Sequence, residues 1–262
     1  MLDLLKTIEY KGIEFKIDPD EGKLYGVFGP EMERKDVYIP ATFPCGTKIK
    51  TICTNCFGGE RFAKVVIDDN IHNIENLAFF KLNAEEVVWP ASCKEIPFEC
   101  FASCKASSIL NIDNVEIIGN GAFKDCSIDK IKWPTKCKQI PRLCFCRSDI
   151  RSIENMEHIT SINAWAFYEA KIKNLNWPRN CRTIPDCCFK NSNIETLSGV
   201  DNIEIISSGA FYEANNLKQL DLSSLQIVSI GKYAFGGLET SAVTLPYYVT
   251  PDNFDFWFAK RD

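Results

Sequence analysis

The chain has 262 residues, 45% of them hydrophobic and 25% charged, with a net charge of −5. This is ordinary globular composition on a length that allows a large core. It excludes a nucleic-acid backbone binder, which needs a basic tract, and a membrane-spanning helix, since no apolar run reaches about 18 residues.

The opening MLDLLKTIEYKG carries an acidic Asp3 and no apolar run of signal-peptide length. No asparagine starts an Asn-x-Ser/Thr sequon, and the C-terminal AKRD holds no lipidation motif. The expected location is therefore cytoplasmic, with a cell surface reached by unconventional export as the alternative. Residues 1–36 hold six basic and nine acidic residues. Within them, KGIEFKIDPDEGKLYGVFG predicts a β-hairpin turning at Asp18-Pro19-Asp20-Glu21-Gly22. We read residues 1–36 as a capping segment that covers the first coil of a repeat region, its acidic turn in solvent.

From residue 37 the chain repeats. Phe57, Phe79, Phe101, Phe123, Phe145, Phe167, Phe189 and Phe211 stand 22 residues apart, and Phe235 follows after 24. The residue before each is Cys or Ala, and an isoleucine stands five places before each, from Ile52 to Ile230. A unit this short cannot bury its apolar face alone, whereas stacked neighbours bury a continuous core. The spacing predicts about nine coils over residues 37–242. Each carries a short strand signal, such as Val87-Val88-Trp89 or Leu175-Asn176-Trp177, with apolar and variable residues alternating as on a half-buried sheet. One parallel sheet face is expected, with irregular or short helical turns opposite.

Two coil types alternate. One reads VVWPASCKEIPFECF at 87–101, IKWPTKCKQIPRLCF at 131–145 and LNWPRNCRTIPDCCF at 175–189. Pro90, Pro134 and Pro178 end the strand because proline cannot donate to the ladder. Trp89, Trp133 and Trp177 take an inward strand position, where the coils between place Asn111, Asn155 and Gly199. Large rings beside small side chains would interdigitate.

These coils, with ISSGAF at 206–211 and IGKYAF at 230–235, resemble the BspA-like leucine-rich repeat family. Its coil reads aliphatic strand, Pro, a hydrophobic residue, then I-x-x-x-A-F. Here Cys stands for the usual Val at 93, 137 and 181 and for Ala at 56, 100, 144 and 188. The resemblance covers about residues 37–242. It implies a right-handed leucine-rich-repeat solenoid and an association with adhesion and protein binding. Fold alone does not fix function.

Thirteen cysteines invite a disulfide reading. Residues 44 apart lie two coils, about 10 Å, apart, beyond disulfide reach. The columns Cys93/Cys137/Cys181 and Cys100/Cys144/Cys188 are therefore read as buried small hydrophobes. Cys104 and Cys126, one coil apart, are the pair that could meet. Cys53-Thr-Asn-Cys56 lacks the second ligand pair that zinc requires. His72 and His158 share no column with each other or with a nucleophile, and no phosphate-binding or nucleophile-elbow motif occurs. The chain reads as a non-enzyme without cofactor or metal, a metal- or redox-active cysteine protein being the weaker rival.

Outward strand positions should form the functional face. One row runs Val88, Leu110, Lys132, Glu154, Asn176, Ser198, Asp221, Thr244, and a second runs Glu86, Ser108, Lys130, Ser152, Asn174, Thr196, Gln219, Ala242. Val88, Leu110, Lys130, Lys132, Glu154, Asn174, Asn176, Ser198 and Asp221 are the candidate residues for binding another protein. The face reads as polar and of mixed charge, with an apolar spot at Val88/Leu110 and no aromatic anchor of the kind that dominates interfaces. A solvated sheet surface is the competing reading. Residues 243–262, with Tyr247, Tyr248, Phe254, Phe256, Trp257 and Phe258, are expected to cap the last coil. Self-association through these aromatics is the alternative.

Overall fold

The computed structural model describes residues 5–30, 34–249 and 254–259. The chain is a β-solenoid of about nine coils, divided into two compact units, residues 1–136 and 137–262.

The first unit opens with three antiparallel strands, β1 (Lys6–Tyr10), β2 (Ile13–Asp18) and β3 (Lys23–Phe28). Alternation places Ile13, Phe15, Ile17 and Leu24 in the core. At the turn, the Asp18 carboxylate accepts from the amides of Asp20 (3.0 Å) and Glu21 (3.1 Å), a local bond that favours a turn over continued strand. Strand β3 then pairs in parallel with Thr51–Ile52. The hairpin thus joins the first coil by backbone pairing, and β1 widens it beyond the two strands expected.

Each coil in this unit crosses two parallel ladders. The long ladder comprises Val37–Ile39, Arg61–Ile67, Asn83–Val88, Lys105–Leu110 and Ser127–Lys132. The second has only two residues per coil, at Thr51–Ile52, Asn73–Ile74, Glu95–Ile96 and Ile117–Ile118. The far side is turned rather than helical. Leu77 (φ 58°) and Glu99 (φ 47°) are left-handed two residues before the phenyl ring, and Lys81 (φ 59°) and Ser103 (φ 58°) two residues after it. Each such residue costs about 1–2 kcal/mol. The strain is offset by a hydrogen-bond ladder between coils: Leu77 N to Phe98 O (3.1 Å), Glu99 N to Asn120 O (3.1 Å), Lys81 N to Ala102 O (3.0 Å) and Ser103 N to Lys124 O (2.8 Å).

Between these bends the rings stack. Phe57–Phe79, Phe79–Phe101 and Phe101–Phe123 have centroids 4.7, 4.9 and 5.7 Å apart, with planes within 16°. Each ring is fully buried. The amides of Phe79 and Phe101 donate to the carbonyls of Cys100 and Ala122, both at 2.9 Å. The residue before the ring is thus packed against the adjacent coil at strand spacing, about 4.8 Å, which leaves room for Ala or Cys.

The second unit repeats this plan with strands that shorten after the first. Its long-ladder strands are Asp149–Glu154, Asn174–Asn176, Thr196–Ser198, Leu220–Asp221 and Val243–Thr244. Its rings, Phe145, Phe167, Phe189, Phe211 and Phe235, are 5.4–5.9 Å apart. A five-residue helix, α1 (Phe254–Phe258), ends it. The Phe258 ring lies 5.3 Å from Phe235, the Phe235 amide donates to Trp257 O (3.0 Å), and the Trp257 indole donates to Ile230 O (3.2 Å). Trp257 and Phe258 thereby stand in for the Ala-Phe of one more coil. The Phe254 side chain lies outside the described residues.

The expected interdigitation at the tryptophan position is corrected. Trp89, Trp133 and Trp177 are buried as expected, and the indoles of Trp89 and Trp177 donate to Cys93 O (3.1 Å) and Cys181 O (2.8 Å) in their own coils. Asn111, Asn155 and Gly199, however, do not fill space beside the rings. All three are left-handed (φ 64°, 63° and 73°) and end the strand by turning it. The inward place falls to the next residue, buried Ile112, Met156 or Val200. Asn111 instead donates its amide to Trp89 O (2.7 Å).

Candidate functional site

In the first unit, register decides which side chains share the outer face. Tyr38 aligns with Val66, Val66 with Val88, and Val88 with Leu110. The predicted apolar spot is thus one end of a four-residue apolar row. Tyr38 and Leu110 are each 39% exposed, and Val66 and Val88 are half-buried. Beside it runs a polar row, Lys64–Glu86–Ser108–Lys130. Lys64 pairs with Glu86 at 2.6 Å, and Lys132 with Asp113 at 3.1 Å. The Tyr38 hydroxyl donates to the Asp68 carboxylate. That bond, together with partial burial, pushes the tyrosine up to about 12, and the same bond, against the opposing effect of burial, holds Asp68 below the usual carboxylate range. The phenol is therefore a fixed neutral group. Tyr38 is also an exposed aromatic on this face that the predicted strand rows did not include.

In the second unit Glu154, Asn174, Asn176, Ser198 and Asp221 all face solvent, as their register predicts. The face is polar throughout. Ser198 donates to Asn176 (3.2 Å). Asp221 accepts from the Ser223 amide (2.9 Å), which lowers its pKa. Glu195 sits between Lys173 (3.3 Å) and Lys218 (2.6 Å), whose hydrogen bonds depress its pKa. Ala242 is a correction to the second predicted row: it is buried in a single turn of 3-10 helix at Thr240–Ala242. Of the C-terminal aromatics, Trp257 is buried and the Tyr248 hydroxyl is tied to the backbone, donating to Leu225 O (2.7 Å). Tyr247 is 97% exposed and Phe256 46%.

Eleven of the thirteen cysteines are buried. Burial raises Cys53 and Cys93 to about 11 and Cys181 to about 12, and lifts Cys56, Cys100 and Cys188 well above the ordinary range. These thiols are neutral at physiological pH and serve as packing, the opposite of a nucleophile's environment. Among the described residues, no three His, Cys, Asp or Glu groups converge to hold a metal ion. No helix among them is long and apolar enough to cross a membrane.

Short coils, a parallel ladder and a stacked aromatic column define a leucine-rich-repeat protein. The model of the BspA type leucine rich repeat region, in six copies, matches residues 40–151 and 138–253, so the chain belongs to that family. No curated protein matches it. Among solved structures it is similar to a leucine rich cell surface protein of Faecalibacterium prausnitzii A2-165, at 19% identity and a TM-score of 0.56, covering 92% of this chain and 78% of that one. It is also similar to the pneumococcal vaccine antigen PcpA, at 16% identity, a TM-score of 0.47 and coverage of 93% and 82%. The T. pallidum leucine rich repeat protein aligns at 15% identity, a TM-score of 0.45 and coverage of 81% and 91%.

Proposed function

We propose that this protein is a non-enzymatic recognition module that binds another protein through the outer sheet face of its first unit. The observation that carries the reading is the aligned row Tyr38–Val66–Val88–Leu110. An aromatic and three aliphatics lie side by side on a solvent-facing sheet, bordered by the charged row that ends in Lys130 and by Lys132. Interfaces place apolar anchors at the centre and polar groups at the rim. The outward polar residues of the second unit, Glu154, Asn174, Asn176, Ser198 and Asp221, act as a solvated surface in this reading. Residues 1–36 and 243–262 serve as the caps.

Capture from the native host tests it. Wild-type chain should retain a partner that Val88→Glu/Leu110→Glu loses, while Asn176→Lys/Ser198→Lys still captures it. Equal capture by all three removes the first unit's face from consideration. A second reading, adhesion at a cell surface, rests on the description of the Faecalibacterium protein. Membrane-impermeant labelling of intact cells should tag the chain if it holds, and a chain never labelled ends that reading. Self-association would use Tyr247 and Phe256, which remain exposed, and sedimentation of Tyr247→Ser/Phe256→Ser against wild type measures it.

A further inference from the structure

Cys104 and Cys126 occupy the same column of consecutive coils, each three residues past its stacked ring and each the residue before a long-ladder strand. The strands pair in register, Lys105 with Ser127, and the Ser127 amide donates to Cys104 O at 2.8 Å. Neighbouring strands in such a ladder lie about 4.8 Å apart, inside the roughly 4.4–6.8 Å window that a disulfide requires. Residues at matching positions of a parallel ladder project to the same side, so the two side chains lie next to each other, and both are buried, 1% and 2% exposed. Elsewhere in this unit the ring-adjacent column separates Cys56 from Cys100 by Ala78, two coils apart.

We infer that Cys104 and Cys126 form a site for an inter-coil disulfide, taken up under oxidising conditions with a low-molecular-weight disulfide as the oxidant. One protein thiolate attacks a sulfur of the small disulfide and expels a small thiolate. The second protein thiolate attacks the mixed disulfide at the protein sulfur and expels the other small thiol. Two protein thiols lose two protons and two electrons, and the small disulfide is reduced to two thiols. Burial keeps both groups out of reach of the small disulfide in the folded chain, so exchange proceeds during folding or through opening of the 105–132 strands. The cross-link would fix the register of the two strands that carry Leu110, Lys130 and Lys132.

The test is refolding of the full chain in a buffer of reduced and oxidised glutathione, followed by acid quench, alkylation and tryptic mass spectrometry. The expected product joins peptide 95–105 to peptide 125–130, lighter than their sum by two hydrogens, and fragmentation places the bond on Cys104. The joined peptide should persist in Cys100→Ala and vanish in Cys126→Ser. The thermal midpoint of the oxidised chain should rise by about 5 °C or more over the reduced chain. Full alkylation of both residues in the wild-type chain after equilibration overturns the inference. So does pairing of Cys126 with Cys100. Either readout is independent of partner binding.

Discussion

The outer faces of the two units are built on the same coil and carry opposite chemistry. In the first, long-ladder strands of six or seven residues from Arg61 to Lys132 present Val66, Val88 and Leu110. In the second, Asp149–Glu154 still has six residues, and the later strands shorten to three at Asn174–Asn176 and Thr196–Ser198 and to two at Leu220–Asp221. The outward residues Asn174, Asn176, Ser198 and Asp221 make this surface polar, and Asn and Asp are poor strand formers. The buried sides do not diverge: both units bury one ring per coil, and the isoleucine five places before it is buried from Ile52 to Ile206 and half-buried at Ile230. The core is held constant by packing, and the outer row is free to specialise.

The largest expected effect tests the constancy of the core. Phe101→Ala and Phe189→Ala should each cost about 3–5 kcal/mol, measured by urea unfolding. A marked difference between them would break the claim that both units share one core logic. Trp257→Ala should cost somewhat less than this, because its ring seals a single open end. A smaller effect concerns closeness of coils. A Cβ on Gly119 would meet Phe98 N at 2.5 Å and Pro97 C at 2.7 Å, so Gly119→Ala should destabilise by about 1–3 kcal/mol through a backbone shift. Replacement of exposed, left-handed Lys81 by Gly should be neutral or stabilising, by up to about 1 kcal/mol.

The buried thiols give a pH dependence. Their folded pKa values are raised, so their contribution is complete below the ordinary thiol pKa, about 8.5. It is lost as pH climbs towards the folded values of about 11 for Cys93 and about 12 for Cys181, because the unfolded chain then binds fewer protons than the native one. The urea midpoint should hold steady from about pH 6 to 8 and fall from about pH 9 upward. A midpoint that rises over that range would contradict neutral core thiols. Smallest of all, Leu110→Glu should leave stability within about 0.5 kcal/mol while weakening partner binding about tenfold or more.

Much of this was legible from residue spacing. The 22-residue step placed the stacked rings from Phe57 to Phe211, with Phe235 two residues later than the step, and assigned Lys130, Lys132, Glu154, Asn174 and Ser198 to the outside. The same step back from Val88 lands on Val66, which extends the outer row by one coil beyond its expected start. Tyr38 could not be reached that way, since it precedes Val66 by 28 residues in a longer first coil. The two-residue ladder showed only as an isoleucine column and not as strand, because Glu95–Ile96 is too short for alternation to register. The bends were hidden because Leu77, Leu143, Trp165 and Tyr233 hold left-handed conformations without being glycine. Asn111 and Gly199 looked like small inward residues because their column contains tryptophan; backbone turning, not volume, selects them.

Hydroxyl-radical footprinting of the chain, free and bound to its captured partner, tests the central claim most directly. Tyr38 and Leu110 should oxidise readily in the free protein and be shielded in the complex, with Phe256 and Tyr247 unchanged. Undiminished oxidation of Tyr38 and Leu110, with shielding confined to the strands at 174–176 and 196–198, would contradict it.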